Sequence, residues 1–386
     1  MDTVFEGAFG PGVPGCGRVA RRNLWAHIGH AADWGGAVAA LCGLLFASNA
    51  WAGGPGGGHN YQVDAPIVHG NLAVFPVTAS ASHDASQFLT LDEGVRSGQV
   101  TVTEAGADRG MIRPGQPIEP IRGGGAEVNR LVLYNNSSRP LLLLAGEIVT
   151  GGKQDRVVGS DRIVPADSGP IDLGVFCVEP GRWVSSSPSF GSMGVQMAQP
   201  SVRMPAMAER DQSRVWDNVR ASNERMAASI GGPEAEAAIH GTTSYAKVFA
   251  SPPVAKAMAG YGGTETEQSI LRELRAGKAV GVVVAINGRV MWADVFASTD
   301  LLARYWSKLM RSYVAEAITS TGTAAAPDRR EAEDFINTLN GNREVVETEA
   351  DVFRRSETTG DGYRVFTLTS LLPKTGFEVH LTKLRY

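Results

Sequence analysis

Apolar positions along this chain change period near residue 200. Before that point they fall in short Val-, Phe-, Leu- and Thr-rich runs that read as strands: NLAVFPV (71–77), QVTVTE (99–104), LVLY (131–134), LLLLAG (141–146), DRIVPA and IDLGVFCVE. A short helical piece is expected between the first two, around Leu91 to Arg96. LVLY and LLLLAG flank the turn-rich NNSSRP and are expected to form a buried hairpin. SSSPSFGSMG (185–194) offers serines, glycines and a proline in place of core residues and is expected as a loop. Beyond it, Val215, Val219, Met226 and Ile230 recur at helical spacing. AVGVVVAINGRVMWADVFAS predicts a hairpin with Asn287-Gly288 in its turn, because that pair tolerates positive φ. Leu301, Leu302, Tyr305, Trp306, Leu309 and Tyr313 form the stripe of a helix capped at Ser298 or Thr299. Pro327 and Gly341 bracket another helix, and strands follow around Val345, Tyr363–Leu368 and Phe377–Leu381.

The pattern defines an α+β fold, mostly antiparallel β in the first half, with mixed helices and β-hairpins in the second. The boundary is expected within 185–201. It separates a β-rich region, 61–200, from an α+β region, 201–386, which either continues the first domain or forms its own. No repeat of solenoid or propeller period is present.

The first 52 residues read differently. Arg18, Arg21 and Arg22 precede the apolar run Gly35–Ala47, and Ala50-Trp51-Ala52 supplies a small-x-small cleavage pattern. This predicts a signal peptide, 1–52, and an exported chain, periplasmic or secreted, that starts at Gly53. The run of about 13 apolar residues is shorter than the ~20 that span a bilayer. Gly53–Asn60 is a glycine-rich, flexible lead-in. Cleavage would remove Cys16 and Cys42 and leave Cys177 alone, so no intramolecular disulfide is expected.

Charge narrows the function. Lys plus Arg number 36 and Asp plus Glu 40, a net charge of -4, without the basic excess that nucleic-acid binding requires. Gly10–Gly15 matches G-x-G-x-x-G but contains two prolines and follows no strand. Gly151-Gly152-Lys153-Gln154 lacks the other residues of a P-loop. Past the expected leader, the histidines His59, His69, His83, His240 and His380 show no zinc-like spacing, and no G-x-S-x-G occurs, so no metal site is predicted. Nothing in the sequence identifies a cofactor.

Two segments gather ionisable residues at the ends of apolar strands: GEIVTGGKQDRVV (146–158) and CVEPGRW (177–183). Cys177 alternates with Val175 and Leu173, which makes it a buried small hydrophobe. Asp211, Gln212 and Asp294 occupy positions on or beside apolar faces, and a buried carboxylate there demands a partner.

NLAVFPV, AGEIVTGGKQDRVV, FCVEPGRW, RDQSRVWDNV and AVGVVVAINGRVMWADVF, in this order, resemble the domain family named for association with ADP-ribosylglycohydrolases and rhodanese-phosphatases. In that family the first charged segment more often reads GEEL followed by GAKQNR, so Ile148, Gly152 and Asp155 depart from it. The resemblance implies a nucleotide-type ligand such as ADP-ribose or another NAD-derived metabolite, and one shared site. Chemically, Lys153, Arg156 and Arg182 would clamp phosphate or carboxylate oxygens, with Gln154 beside them. Trp183 would stack on a base, and Glu147 or Glu179 would act as general base or metal ligand. Glu147, Arg156, Glu179 and Arg182 are expected at one concave end of the first-half sheet. The alternative is a non-catalytic envelope or extracellular structural or interaction domain in which the same charges hold the fold.

Overall fold

The computed structural model describes residues 60–105, 130–152, 154–179, 189–320, 322 and 328–386. The expected leader and nearly all of the lead-in lie outside the described residues, as do Lys153, Arg182, Trp183 and Pro327. The described residues belong to one unit, Gly57–Tyr386.

The chain enters through β1 (Gln62–Val63), β2 (Ile67–His69) and β3 (Leu72–Thr78), then β4 (Leu89–Thr90), α1 (Leu91–Arg96) and β5 (Val100–Glu104). β6 (Arg130–Asn135), β7 (Leu141–Leu143), β8 (Glu147–Gly151), β9 (Arg156–Val158), β10 (Arg162–Val164), β11 (Ser168–Cys177) and β12 (Ser189–Met197) complete the β-rich part. Helices follow: α2 (Pro200–Met204), α3 (Gln212–Ile230), α4 (Pro233–His240), α5 (Tyr245–Ala250), α6 (Pro252–Ala259) and α7 (Gly263–Ala276). The hairpin β13 (Gly281–Ile286) and β14 (Arg289–Phe296) leads to α8 (Thr299–Thr319) and α9 (Arg329–Asn337). β15 (Asn342–Glu349), β16 (Phe353–Gly360), β17 (Tyr363–Ser370) and β18 (Glu378–Arg385) end the order. The fold is α+β, with antiparallel sheets mostly in the first half and helices plus strands later.

Six strands close a barrel in the order β11-β6-β5-β12-β8-β9, each antiparallel to its neighbours. The antiparallel sense fixes two rims. Glu104, Gly151 and Cys177 end their strands at one rim, where Arg130, Arg156 and Ser189 begin theirs. Glu147, Val158 and Met197 lie at the other. Leu131, Leu133, Val100, Val102, Val149, Leu173, Val175 and Phe190 pack together inside.

A larger sheet runs β1-β3-β13-β14-β18-β17-β16-β15, with β2 also on β3. β3 and β13 are apolar on both faces, as burial on both sides requires. Leu72, Val74, Val282 and Val284 face α8, while Phe75, Val77 and Val283 face Ala332, Phe335 and Ile336 of α9. Asn287 (φ 53°) and Gly288 (φ 75°) make the expected tight turn. Ser298 caps α8 by accepting from Leu301 N, and the stripe from Leu301 to Tyr313 is buried. α8 lies between the large sheet and barrel strand β12.

Two expectations are corrected. LVLY and LLLLAG do not pair: β6 joins the barrel, whereas β7 joins β10 and β4 in a separate three-stranded sheet. Their connection is held open from within. Asn135 Nδ2 donates to Arg139 O at 2.8 Å and to Pro165 O at 2.8 Å, and Pro140 has no N–H for a ladder. The serine- and glycine-rich stretch is a strand from Ser189 onward. β12 needs only its backbone to bridge β5 and β8, and Phe190 supplies the inward apolar group.

The second half grips the barrel through Gln212. Its side-chain amide copies a strand: Cys177 N donates to Oε1 at 2.8 Å and Nε2 donates to Cys177 O at 2.8 Å. Asp211, expected beside the apolar face, is instead the exposed N-cap of α3 and accepts from Ser213 N at 2.8 Å and Arg214 N at 3.3 Å. Gln212→Ala leaves two backbone groups of Cys177 without partners and is expected to lower stability by about 1–3 kcal/mol. Urea unfolding with an unchanged m-value checks this; a loss below about 0.5 kcal/mol would show that α3 docks without the amide.

Candidate functional site

The register places Arg156 opposite Cys177 on β11 and opposite Val149 on β8. Directly paired residues share a face. Arg156 therefore joins Leu173, Val175 and Cys177 inside the barrel and is fully buried there. Burial pulls its guanidinium below the ordinary value, against the opposing pull of Cys177, Glu104, Asp155 and Glu179. Burial likewise pushes the Cys177 thiol up, so it is a neutral, buried group.

The turn between β8 and β9 is built to hold this rim. Gly152 adopts φ +50°, and a Cβ there would collide with the Phe190 ring and lie 2.9 Å from Glu104 Oε1. Asp155 is buried and anchored on every side: its N donates to Glu179 Oε2 at 3.0 Å and its O accepts from Val178 N at 3.1 Å. Its Oδ2 accepts from Ser244 Oγ at 2.7 Å and Ala246 N at 3.4 Å, which ties the rim to the start of α5. The carboxylate that departs from the family pattern is thus a structural anchor. Gln154, between these fixed residues, is fully buried, yet neither Oε1 nor Nε2 has a hydrogen-bond partner.

Glu147 is elsewhere. It begins β8 at the opposite rim, four residues before Gly151, roughly 13 Å along the strand. Its Oε1 takes an ion pair from Lys308 Nζ, and its Oε2 accepts from Leu144 N at 2.9 Å. Lys308 also meets Asp92 Oδ2 at 2.9 Å. Burial pushes the Glu147 carboxyl up against the opposing Lys308 charge, while the two carboxylates outweigh burial and hold Lys308 charged. Of the expected residues, the structure brings Gln154, Arg156 and Glu179 to one rim and sets Glu147 apart.

A second buried network starts beside Glu147. Ala145 N donates to Asp161 Oδ1 at 2.8 Å, and Asp161 Oδ2 lies 2.6 Å from His380 Nδ1. His380 Nε2 lies 3.4 Å from Asp294 Oδ1. Asp294 accepts Arg203 Nη1 and Nη2, each at 3.2 Å, Trp292 Nε1 at 3.0 Å, Thr382 Oγ1 at 2.8 Å, and the Tyr313 hydroxyl. Asp294 has the arginine pair that its apolar surroundings required. Gly146 makes room: a Cβ at its φ of +92° would lie 2.6 Å from the Arg203 side chain. Burial raises the Asp294 pKa, but Arg203 and His380 prevail and hold it well below the usual carboxylate range.

No local pattern marks Asp161, Arg203 or His380, which lie far apart along the chain. Lys308 carried one signal: it falls within an apolar helical stripe, between Tyr305 and Leu309. Among the described residues, no group of three or more His, Cys, Asp and Glu is placed to hold a metal ion, and no helix is long and apolar enough to cross a membrane.

The site and fold define an α+β domain whose barrel carries polar, buried residues at both rims. Residues 60–382 match the ARG and Rhodanese-Phosphatase-superfamily-associated Protein domain, and the chain belongs to this family. The family is named for association with ADP-ribosylglycohydrolase and rhodanese-phosphatase superfamily proteins. No match was found among curated proteins or solved structures.

Burial lowers the His380 pKa, but Asp161 and Asp294 overcome this and hold it up to about 9. A raised folded-state pKa gives stability that is full below pH 6.5 and is lost as pH rises through 9, at most about 3 kcal/mol. Lys383, pulled down to about 7 by burial and Arg385, works in the opposite sense above pH 7. The measurement is therefore the difference in unfolding free energy between the parent and His380→Gln proteins from pH 6 to 9.5. That difference should shrink as pH rises, and a flat difference would mean that His380 is neutral in the fold.

Proposed function

We propose that this chain is an exported binding protein for a nucleotide-type metabolite, ADP-ribose or another NAD-derived compound, held at the barrel rim formed by Gln154, Arg156 and Glu179. The observation that carries the reading is Gln154, a fully buried amide with no protein partner, in the segment most specific to the family. Buried polar groups are normally paired, so an amide left open here has a use for a ligand. Arg156, two residues on, supplies a buried cation for a phosphate or carboxylate oxygen, and Glu179 an acceptor for ribose hydroxyls. Glu147 has no part in this reading, because Lys308 and Leu144 N already occupy its oxygens. The nucleotide class rests on the association for which the family is named.

A second reading has its own observation. The carboxylates of Glu147, Asp155 and Asp294 are all engaged by protein donors, as expected of a structural domain whose charges only hold the fold.

Thermal-shift measurements on the chain from Gly53 onward, with ADP-ribose, NAD, sugar phosphates and divalent metals, separate the readings. A ligand at one hundred times its Kd is expected to stabilise the protein by roughly 2.7 kcal/mol. If no compound in the panel moves the melting temperature, the structural reading stands instead.

Export rests on the basic residues, apolar run and Ala50-Trp51-Ala52 pattern of the leader. Intact-mass analysis of material recovered outside the cytosol should give a chain that begins at Gly53. A soluble cytosolic chain that retains Trp25 and Leu44 would sink this part of the proposal.

A further inference from the structure

Gln154 differs in kind from the other buried groups without partners. Thr103, Ser222 and Thr367 each leave one hydroxyl open, and Trp216 one indole N–H, whereas Gln154 leaves an acceptor and a two-hydrogen donor side by side. Among the described residues that flank it, Gly152 adopts a left-handed turn and Asp155 is tied to Glu179, Val178, Ser244 and Ala246. A buried amide with no protein partner beside such an anchor is the arrangement expected of a recognition group that is organised before its ligand arrives.

We infer that the Gln154 carboxamide reads a planar ligand edge that carries a hydrogen-bond donor next to an acceptor. This inference rests on the binding reading above and deepens it. A glutamine amide pairs in this bidentate way with the amino group and ring nitrogen of adenine. The carboxamide of nicotinamide presents the same two groups. A phosphate or a bare sugar does not, so Gln154 contributes selection for the ring and Arg156 the attraction for the anion.

The test uses Gln154→Leu, which keeps the volume and removes both polar ends. Without ligand, its melting temperature should hold or rise by up to about 4 °C, because an open amide has been replaced by an apolar group. A marked fall would show that Gln154 has a structural partner and would overturn the inference. Calorimetric titrations of parent and variant then use ADP-ribose, etheno-ADP-ribose, whose bridged base has lost its amino donor, nicotinamide mononucleotide and ribose 5-phosphate.

The parent should bind ADP-ribose or nicotinamide mononucleotide at least about tenfold more tightly than ribose 5-phosphate, and the variant should lose that advantage. Loss with ADP-ribose, matched by weak parental binding of the etheno form, identifies adenine as the ring. Loss confined to the mononucleotide identifies the carboxamide. Equal binding of all four by the parent, or an advantage that survives in the variant, overturns the inference while the binding reading stands. The second of those results is also what a buried water on Gln154 would give. Failure of every compound to bind overturns both.

Discussion

The structure depends on a carboxylate that has been taken out of water. Asp294 sits on a central strand, fully buried, where an unpaired charge would cost several kcal/mol. Its oxygens are met by Arg203, Trp292, Thr382, Tyr313 and His380. These donors come from α2, β14, β18 and α8. His380 then hands the constraint to Asp161 and so to the backbone of Ala145. A single charge therefore specifies how the large sheet, the central helix and the lower rim of the barrel must meet. Such a network adds little net stability compared with apolar packing, but it penalises every arrangement in which one member is missing.

The residues on either side of β8 divide between its two rims. Ala145, Gly146 and Glu147 serve the buried networks at one rim: Ala145 binds Asp161, Gly146 clears space for Arg203, and Glu147 neutralises Lys308. Gly152, Gln154, Asp155 and Arg156 serve the other rim, where Asp155 is anchored and Gln154 is not. Residues that are neighbours in sequence thus do two kinds of work, and at the second rim a whole carboxamide is left open.

Much of the fold was legible because local chemistry and burial agree. The all-apolar strands β3 and β13, the Asn287-Gly288 turn and the α8 stripe all follow from short-range pattern. The misread segments are those in which the backbone decides. NNSSRP looks like a hairpin turn, yet Asn135 spends its amide on Arg139 and Pro165 and sends the strands to different sheets. Ser189–Met197 has strand-poor composition but fills a gap between two ladders. In the site, the joint position of Arg156 and Glu179 could be read from two strand ends. The separation of Glu147 could not, because it follows from the antiparallel order of a closed barrel, which no local pattern encodes.

The place of β18 in the large sheet has a consequence for synthesis. It lies between β14 and β17, although the ribosome makes it after every other strand. From the emergence of Phe296 until that of Glu378, the β13–β14 hairpin presents an unpaired apolar edge, and Asp294 lacks both Thr382 and His380. Contacts so distant along the chain are slow to form, and an open edge invites pairing with other chains in the interval.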